Sequence, residues 1–235
     1  MKDKMFDFVT ITKNPLGGDC YGCEYCYIHG KRGMKVRFEH IRNKYSGEPK
    51  LYDSVLNEKL KEYMLCFPCS SIDYLHPRVS TEMVFRIIEW FERNPNVLFL
   101  SLTKNPRRYL EFAEWIPINV ILGATIESNI NHPKYSKAPL RIERIKAMMD
   151  IAKERKLINN KRFMSIEPIL HFDYELFLSH ILQINPNFGI AIGYDNYHYK
   201  LQEPSLANTM LLRHRLIHYR FRIFDKTLRK AWWEK

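Results

Sequence analysis

The sequence lacks any apolar run long enough to cross a bilayer. Its longest runs, such as Val97-Leu98-Phe99-Leu100, are strand-sized, far short of the roughly 20 residues a spanning helix needs. Met1 to Asp7 carries Asp3 and Asp7 and no extended apolar stretch, which argues against a secretory leader. Cysteine is too scarce and unevenly placed for a disulfide scaffold: there are five, three of them within seven residues. A reducing, cytoplasmic setting without membrane contact is the expectation. No linker, low-complexity tract or internal repeat divides the 235 residues, so one domain is expected. Acidic residues are also in short supply, 26 against 37 Lys and Arg, for a formal net charge of +11. What is present suits a globular fold. Hydrophobic residues reach 46% and aromatics 14%, too rich for a chain that cannot build a core.

Short apolar or β-branched runs read as strands covered on both faces: Phe6 to Thr12, Lys61 to Pro68, Val97 to Thr103, Val120 to Ile126, Arg162 to Ile166 and Phe188 to Gly193. Helical patterns lie between them. Ser80 to Arg93 opens on Ser80 or Thr81 as N-cap and is stopped by Asn94-Pro95. Pro106 stands at the start of a helix running to Trp115. Leu140 to Lys156 and Phe172 to Leu182 follow, and Leu206 to Trp233 reads as a long, basic, mostly helical tail. The strict alternation predicts an α/β fold with parallel strands, either a doubly wound open sheet or an incomplete barrel. Residues 206–235 are expected to extend the 1–205 core as a packed basic helical segment.

In such folds chemistry sits at the C-terminal ends of the strands. Strand after strand here ends in polar residues: Ser70, Ser71 and Asp73; Thr103, Lys104 and Asn105; Glu127, Ser128 and Asn129; Ser165 and Glu167; Gly193, Asp195 and Asn196. Turns favour Ser, Asp and Asn for their own reasons. Glu127 and Glu167 are not turn residues and call for another explanation.

Cys20, Cys23 and Cys26 lie in D-C-Y-G-C-E-Y-C-Y, directly after the first strand and so on the same rim. Three thiols at this spacing form a soft-ligand site for zinc or an iron–sulfur cluster. Three ligands instead of four leave one iron of a four-iron cluster free for a small molecule. A rival pairing, Cys23-x-x-Cys26 with Cys66-x-x-Cys69, has structural zinc spacing. It leaves Cys20 unexplained and uses two residues at the end of a core strand, where small buried fillers are the simpler reading.

With these residues in view, the chain resembles the radical S-adenosylmethionine (SAM) superfamily, and most closely an uncharacterised phage-associated family of radical-SAM-like proteins. The resemblance runs from about residue 6 to 200. It rests on K-N-P-L-G-G-D-C-Y-G-C-E-Y-C-Y from Lys13, S-S-I-D-Y-L-H from Ser70 and L-S-L-T-K-N-P-R-R-Y from Leu100. It continues in N-V-I-L-G-A-T-I-E-S-N from Asn119 and R-F-M-S-I-E-P-I-L from Arg162. The superfamily spaces its cysteines C-x3-C-x2-C with an aromatic before the last; this chain has Tyr25 in that place but C-x2-C-x2-C overall. Ser70 and Ser71 stand where a Gly-Gly-Glu motif is usual.

The resemblance implies a partial (β/α)6 TIM-type barrel. It implies that Cys20, Cys23 and Cys26 hold a [4Fe-4S] cluster whose fourth iron takes the amine and carboxylate of SAM. One electron from a reduced flavodoxin or ferredoxin would then cleave SAM to a 5′-deoxyadenosyl radical that abstracts hydrogen from substrate. By analogy Ser70 and Ser71 approach the SAM amino group, and Glu127 and Asn129 the ribose hydroxyls. Ser165, Glu167 and the Gly193 backbone line the adenine or substrate side, and Lys104 meets a carboxylate or phosphate.

Base is concentrated in two stretches. Leu211 to Lys235 holds eight Lys or Arg interleaved with Tyr219, Phe221, Phe224, Trp232 and Trp233, and Lys31 to Lys50 holds seven. Basic residues mixed with aromatics suit phosphate contact with base stacking by a nucleotide or nucleic-acid partner; they suit equally a solvated helix face whose aromatics pack the tail onto the barrel, and the sequence leaves both readings open. The competing functional class is a zinc- or cluster-bearing nucleic-acid-binding protein without enzymatic activity.

Overall fold

The computed structural model describes residues 5–235, so Met1–Lys4, the start of the stretch read against a leader, lie outside the described residues. Along the chain come β1 (Ile11–Lys13), β2 (Leu16–Gly17), α1 (Met34–Arg37), α2 (Glu39–Lys44), β3 (Lys50–Leu51), α3 (Asp53–Leu56) and β4 (Leu65–Pro68). There follow α4 (Thr81–Glu92), β5 (Leu98–Thr103), α5 (Arg107–Glu111), β6 (Val120–Thr125), α6 (Arg141–Ile151) and β7 (Arg162–Ile166). The chain ends with α7 (Tyr174–Ile184), β8 (Gly189–Ile192), α8 (Leu206–His218) and β9 (Ile223–Asp225). Seven strands pair in the order β1-β4-β5-β6-β7-β8-β9, every pair parallel, and curl into a half-barrel with helices outside; β2 and β3 form a separate antiparallel pair. The fold is the expected partial barrel. Among the described residues no helix is long and apolar enough to cross a membrane.

Period-two alternation along each strand divides the side chains between two cores. Val120, Leu122, Ala124 and Ile126 face the helices, in one cluster with Phe99, Met164, Ile190 and Ile192. Ile121, Leu100, Phe67, Phe163 and Ala191 face the barrel interior. The same alternation, carried two to six residues on, aims Lys104, Glu127, Ser165, Glu167 and Gly193 inward at the strands' C-terminal ends. The interior is thus apolar at its base and polar at its mouth. Outside, Ser80 caps α4 by accepting from the Met83 amide. That helix buries Val84, Ile87, Ile88, Trp90 and Phe91, each worth roughly 1.5–3 kcal/mol of apolar transfer.

Several expected elements differ; α5 and α6 end at Glu111 and Ile151, short of the expected Trp115 and Lys156. The first strand keeps only Ile11–Lys13, because Phe6 and Val9 leave the ladder to plug the base of the barrel, where Phe6 lies edge-on to Phe163 at 5.5 Å. The second begins at Leu65, since Tyr63 turns through a left-handed φ of 59° and is exposed. The tail is not mostly helical. Helix α8 stops at His218, and Arg220, at φ 64°, donates its amide to the Ile217 carbonyl. Then β9 adds a seventh strand: Phe224 joins the interior cluster while Phe221 and Ile223 pack on the outer one. An aromatic and β-branched alternation overrides helix continuation there.

Candidate active site

Glu127, two residues past β6, is fully buried and accepts from four side chains. One carboxylate oxygen accepts from the Tyr25 hydroxyl and from the Lys104 ammonium. The other accepts from Arg141 Nε and Arg144 Nη1, each at 3.0 Å. Burial alone would push the Glu127 carboxyl up; Arg144, Lys104 and Arg141 outweigh it and hold it well below the usual carboxylate range. Burial and the Glu127 charge push the Tyr25 phenol up, so it stays a donor.

The charge count does not close. Lys104, Arg141 and Arg144 bring three positive charges against one on Glu127. Asp73 lies next to them, accepting from the Thr103 hydroxyl at 2.8 Å and the Lys104 amide at 2.7 Å. Counting Asp73 as fully ionised still leaves one positive charge over. Two donors are also unused: Arg141 Nη2 and Asn129 Nδ2 are buried with no hydrogen-bond partner. Arg141 is 3% exposed and Asn129 9%. A buried donor left unpaired costs about 1–3 kcal/mol, more when charged, so both favour a ligand that accepts.

The cysteine loop sits against this network. Tyr25 lies between Cys23 and Cys26 in sequence, and its buried ring packs with Tyr21, Cys23, Leu170 and Leu201, with Cys20 and Cys26 alongside. Cys26 Sγ accepts the His29 amide at 3.3 Å, and Cys23 Sγ lies 3.0 Å from the Ser136 hydroxyl. Burial pushes the Cys20 thiol up, with Asp73 adding to it, and burial likewise raises Cys26. Gly22 bends the loop at φ 60°, with open space where a Cβ would stand. Among the described residues no three His, Cys, Asp or Glu side chains gather as a site for one metal ion. A mononuclear zinc site requires that convergence. A four-iron cluster does not, because each thiolate binds a different iron. Cys66 and Cys69 belong to the outer core, as small buried fillers should; Cys20 packs against that core as well as against the loop cluster, while Cys23 and Cys26 belong to the loop cluster alone.

The remaining residues singled out from sequence line the same mouth. The Tyr27 hydroxyl donates to the Ser70 carbonyl at 2.9 Å and lies 3.2 Å from the Ser71 hydroxyl. Asn14 Oδ1 accepts from the Ser70 hydroxyl at 3.1 Å and the Ser71 amide at 3.2 Å. Ser165 is buried in β7. Glu167 stands 4.0 Å from Lys226, and burial pushes its carboxyl up despite that cation. A Cβ on Gly193 would fall 2.5 Å from the Lys226 Cβ. These two residues therefore face the chain's own C-terminal segment. Asn129 Oδ1 is taken by the Asp173 amide. Sequence reasoning missed Arg141 and Arg144. Their signal was the i, i+3 spacing that puts both on the face of α6 carrying Ile145 and Met148.

Compared with known protein families, residues 6–185 match the family described as Protein of unknown function (DUF5131). The chain belongs to this DUF5131 family. No curated protein matches it. Among solved structures, a spore photoproduct lyase variant with bound AdoMet and dinucleoside spore photoproduct is similar at a TM-score of 0.54 and 14% identity, over 89% of this chain and 61% of that one. A cysteine-to-serine variant of the same lyase gives 0.53 and 15%, over 82% and 59%. A radical SAM methyltransferase from Sphaerobacter thermophilus gives 0.56 and 10%, over 95% and 67%. The chain spans about three fifths of the lyase structures' length. At these identities the likeness is one of fold.

Proposed function

We propose that this DUF5131 protein is a radical SAM enzyme, with Cys20, Cys23 and Cys26 as ligands of a [4Fe-4S] cluster and SAM as co-substrate. The observation that carries the reading is the juxtaposition at the barrel mouth: a three-thiol loop tied through Tyr25 to a buried cation cluster with charge and donors to spare. The donor set fits the group. The thiols are soft, Cys26 already receives an N–H···S bond, and surplus positive charge suits both a thiolate-ligated cluster and a carboxylate. When bound, the cluster and SAM supply one-electron reductive cleavage of a sulfonium C–S bond and hydrogen-atom abstraction from substrate.

The chain's own groups bind and orient. Lys104 and Arg141 offer charge-assisted donors to a carboxylate. Glu127 aligns these cations; four donors fill its oxygens, so it does not also receive ribose hydroxyls. Asn129 Nδ2 is the free donor on that side. Ser70 and Ser71, held by Asn14 and Tyr27, would offer hydroxyls to the amino group of SAM. Apolar packing of Tyr21, Tyr135, Leu170 and Leu201 around the loop excludes water. Exposed Lys31, Arg32, Arg37 and Arg42 follow the loop, and the Met34 amide bonds back to the Tyr27 carbonyl. This basic shoulder suits an acidic one-electron carrier such as reduced flavodoxin or ferredoxin.

Anaerobic reconstitution tests the reading. The expected product is a brown protein with about four iron and four sulfide per chain, which releases 5′-deoxyadenosine from SAM and dithionite. Replacing Cys20, Cys23 or Cys26 singly by Ala should abolish both. Zinc without SAM turnover, or iron content indifferent to all three replacements, would sink it.

A further inference from the structure

Base is not confined to the barrel mouth. At the opposite end of the sheet a cavity of about 420 Å³ opens among the segments leading into β7, β8 and β9. Lys161 enters from the first, Asn187 from the second, and Tyr219, Arg220, Phe221 and Arg222 from the third. No carboxylate lines it. Among the described residues none of Lys161, Arg220 and Arg222 joins an ion pair. A fourth cation, Arg162, lies buried behind the lining. Arg162 is 5% exposed; its amide donates to Asn187 Oδ1 at 2.7 Å, and its carbonyl accepts the Phe188 amide. Arg162 Nε donates to the Ile184 and Asn185 carbonyls, and Nη1 is buried with no partner.

The ordinary explanation for cations here is that α7 and α8 both end at this pole, where helix dipoles favour positive charge. Each helix end carries about half a negative charge, so two ends offset roughly one of the four cations. About three positive charges remain beside Tyr219, which is 42% exposed with the Arg215 guanidinium 5.4 Å from its ring centroid, so that a base would take the opposite face. Phosphates answer the charge. An unpaired base answers the ring, because base faces inside a duplex are already stacked.

We propose that this cavity is a docking groove for single-stranded nucleic acid, with phosphates on Lys161, Arg220 and Arg222 and a base against Tyr219. It requires nothing bound at the barrel mouth, so it stands or falls separately from the radical SAM reading. Fluorescence anisotropy of a short labelled oligothymidylate on the full chain tests it. The unaltered protein should bind, less tightly as salt rises. R220E/R222E should weaken binding at least about tenfold at low salt. Its log–log salt slope should be shallower by about 1.4, two contacts at about 0.7 each for a single strand. Tyr219→Ala should weaken binding at unchanged slope. K59E/K61E makes the same charge change at exposed positions toward the other edge of the sheet, and should shift affinity less than about threefold. K161E carries the test if the double arginine variant does not fold. Absence of binding at low salt overturns the proposal. Equal losses in both double variants also overturn it, since net charge alone would then explain binding. Displacement by inorganic phosphate as effective as by unlabelled strand overturns it in favour of a single-anion site.

Discussion

Glu127 is the residue on which the interior depends, because removing it strands three cations, two of them almost fully buried. Loss of one partner from a buried pair costs about 3–5 kcal/mol. The expected outcome for Glu127→Gln is destabilisation in that range, read as a lower urea midpoint at unchanged m-value. Tyr25→Phe keeps the ring and deletes the hydrogen bond to Glu127 together with the one the hydroxyl accepts from Lys104 at 3.1 Å, an expected loss of about 1.5–3 kcal/mol, since Lys104 keeps Glu127 as its partner. Because both changes break the same contact, the double variant should cost clearly less than the sum. Additive losses would mean that the cysteine loop and β6 are not coupled through this bond. Glu127 was legible in the sequence, since a carboxylate past a core strand is out of place as a turn residue. Its partners were not. Arg141 and Arg144 sit where a helix wheel expects apolar side chains, and only the tertiary fold shows what they reach.

Elements were legible where one physical signal acted alone. Helix α4 starts at Ser80 and stops before Pro95 because cap and breaker agree with the apolar period. Strand β9 was hidden because the basic composition of 219–226 resembles the helix before it; the alternating Phe221, Ile223 and the inward Phe224 were the overlooked sign. That strand matters for β8. Gly193 sits where the C-terminal segment passes, with Lys226 Cβ 2.5 Å from the position a side chain would take and Thr227 receiving the Tyr194 amide. Gly193→Ala therefore forces the segment outward. An overpacking loss of about 1–3 kcal/mol is expected, seen as a lowered denaturation midpoint. An unchanged midpoint would show that the segment yields at no cost, and that Lys226 is free to leave Glu167.

At the scale of the molecule, residues 219–235 tie the two poles of the barrel together. They leave the basic cavity, complete the sheet, and end on the loop that follows β8. Phe224 lies 3.9 Å from Phe8 between ring centroids, closing the base. Arg229 pairs with Glu203, whose side chain is 1% exposed, at 2.8 Å, and donates to the Asp195 carbonyl. Trp232 and Trp233 indoles donate to the Leu201 and Glu203 carbonyls. Leu201 in turn packs in the cysteine-loop cluster. The tail is thus a structural member, and cutting it should be felt at the mouth. Arg229→Ala leaves the buried Glu203 carboxylate without its counter-ion, with the Trp232 amide still donating to it, at a cost of about 3 kcal/mol. That is a large share of the roughly 5–15 kcal/mol that holds a typical domain. Hydrogen exchange locates the effect: protection should fall around Leu201 and the cysteine loop before it falls in β5 and β6. Uniform loss across the sheet would show a general destabilisation, and the tail would then have no particular hold on the site.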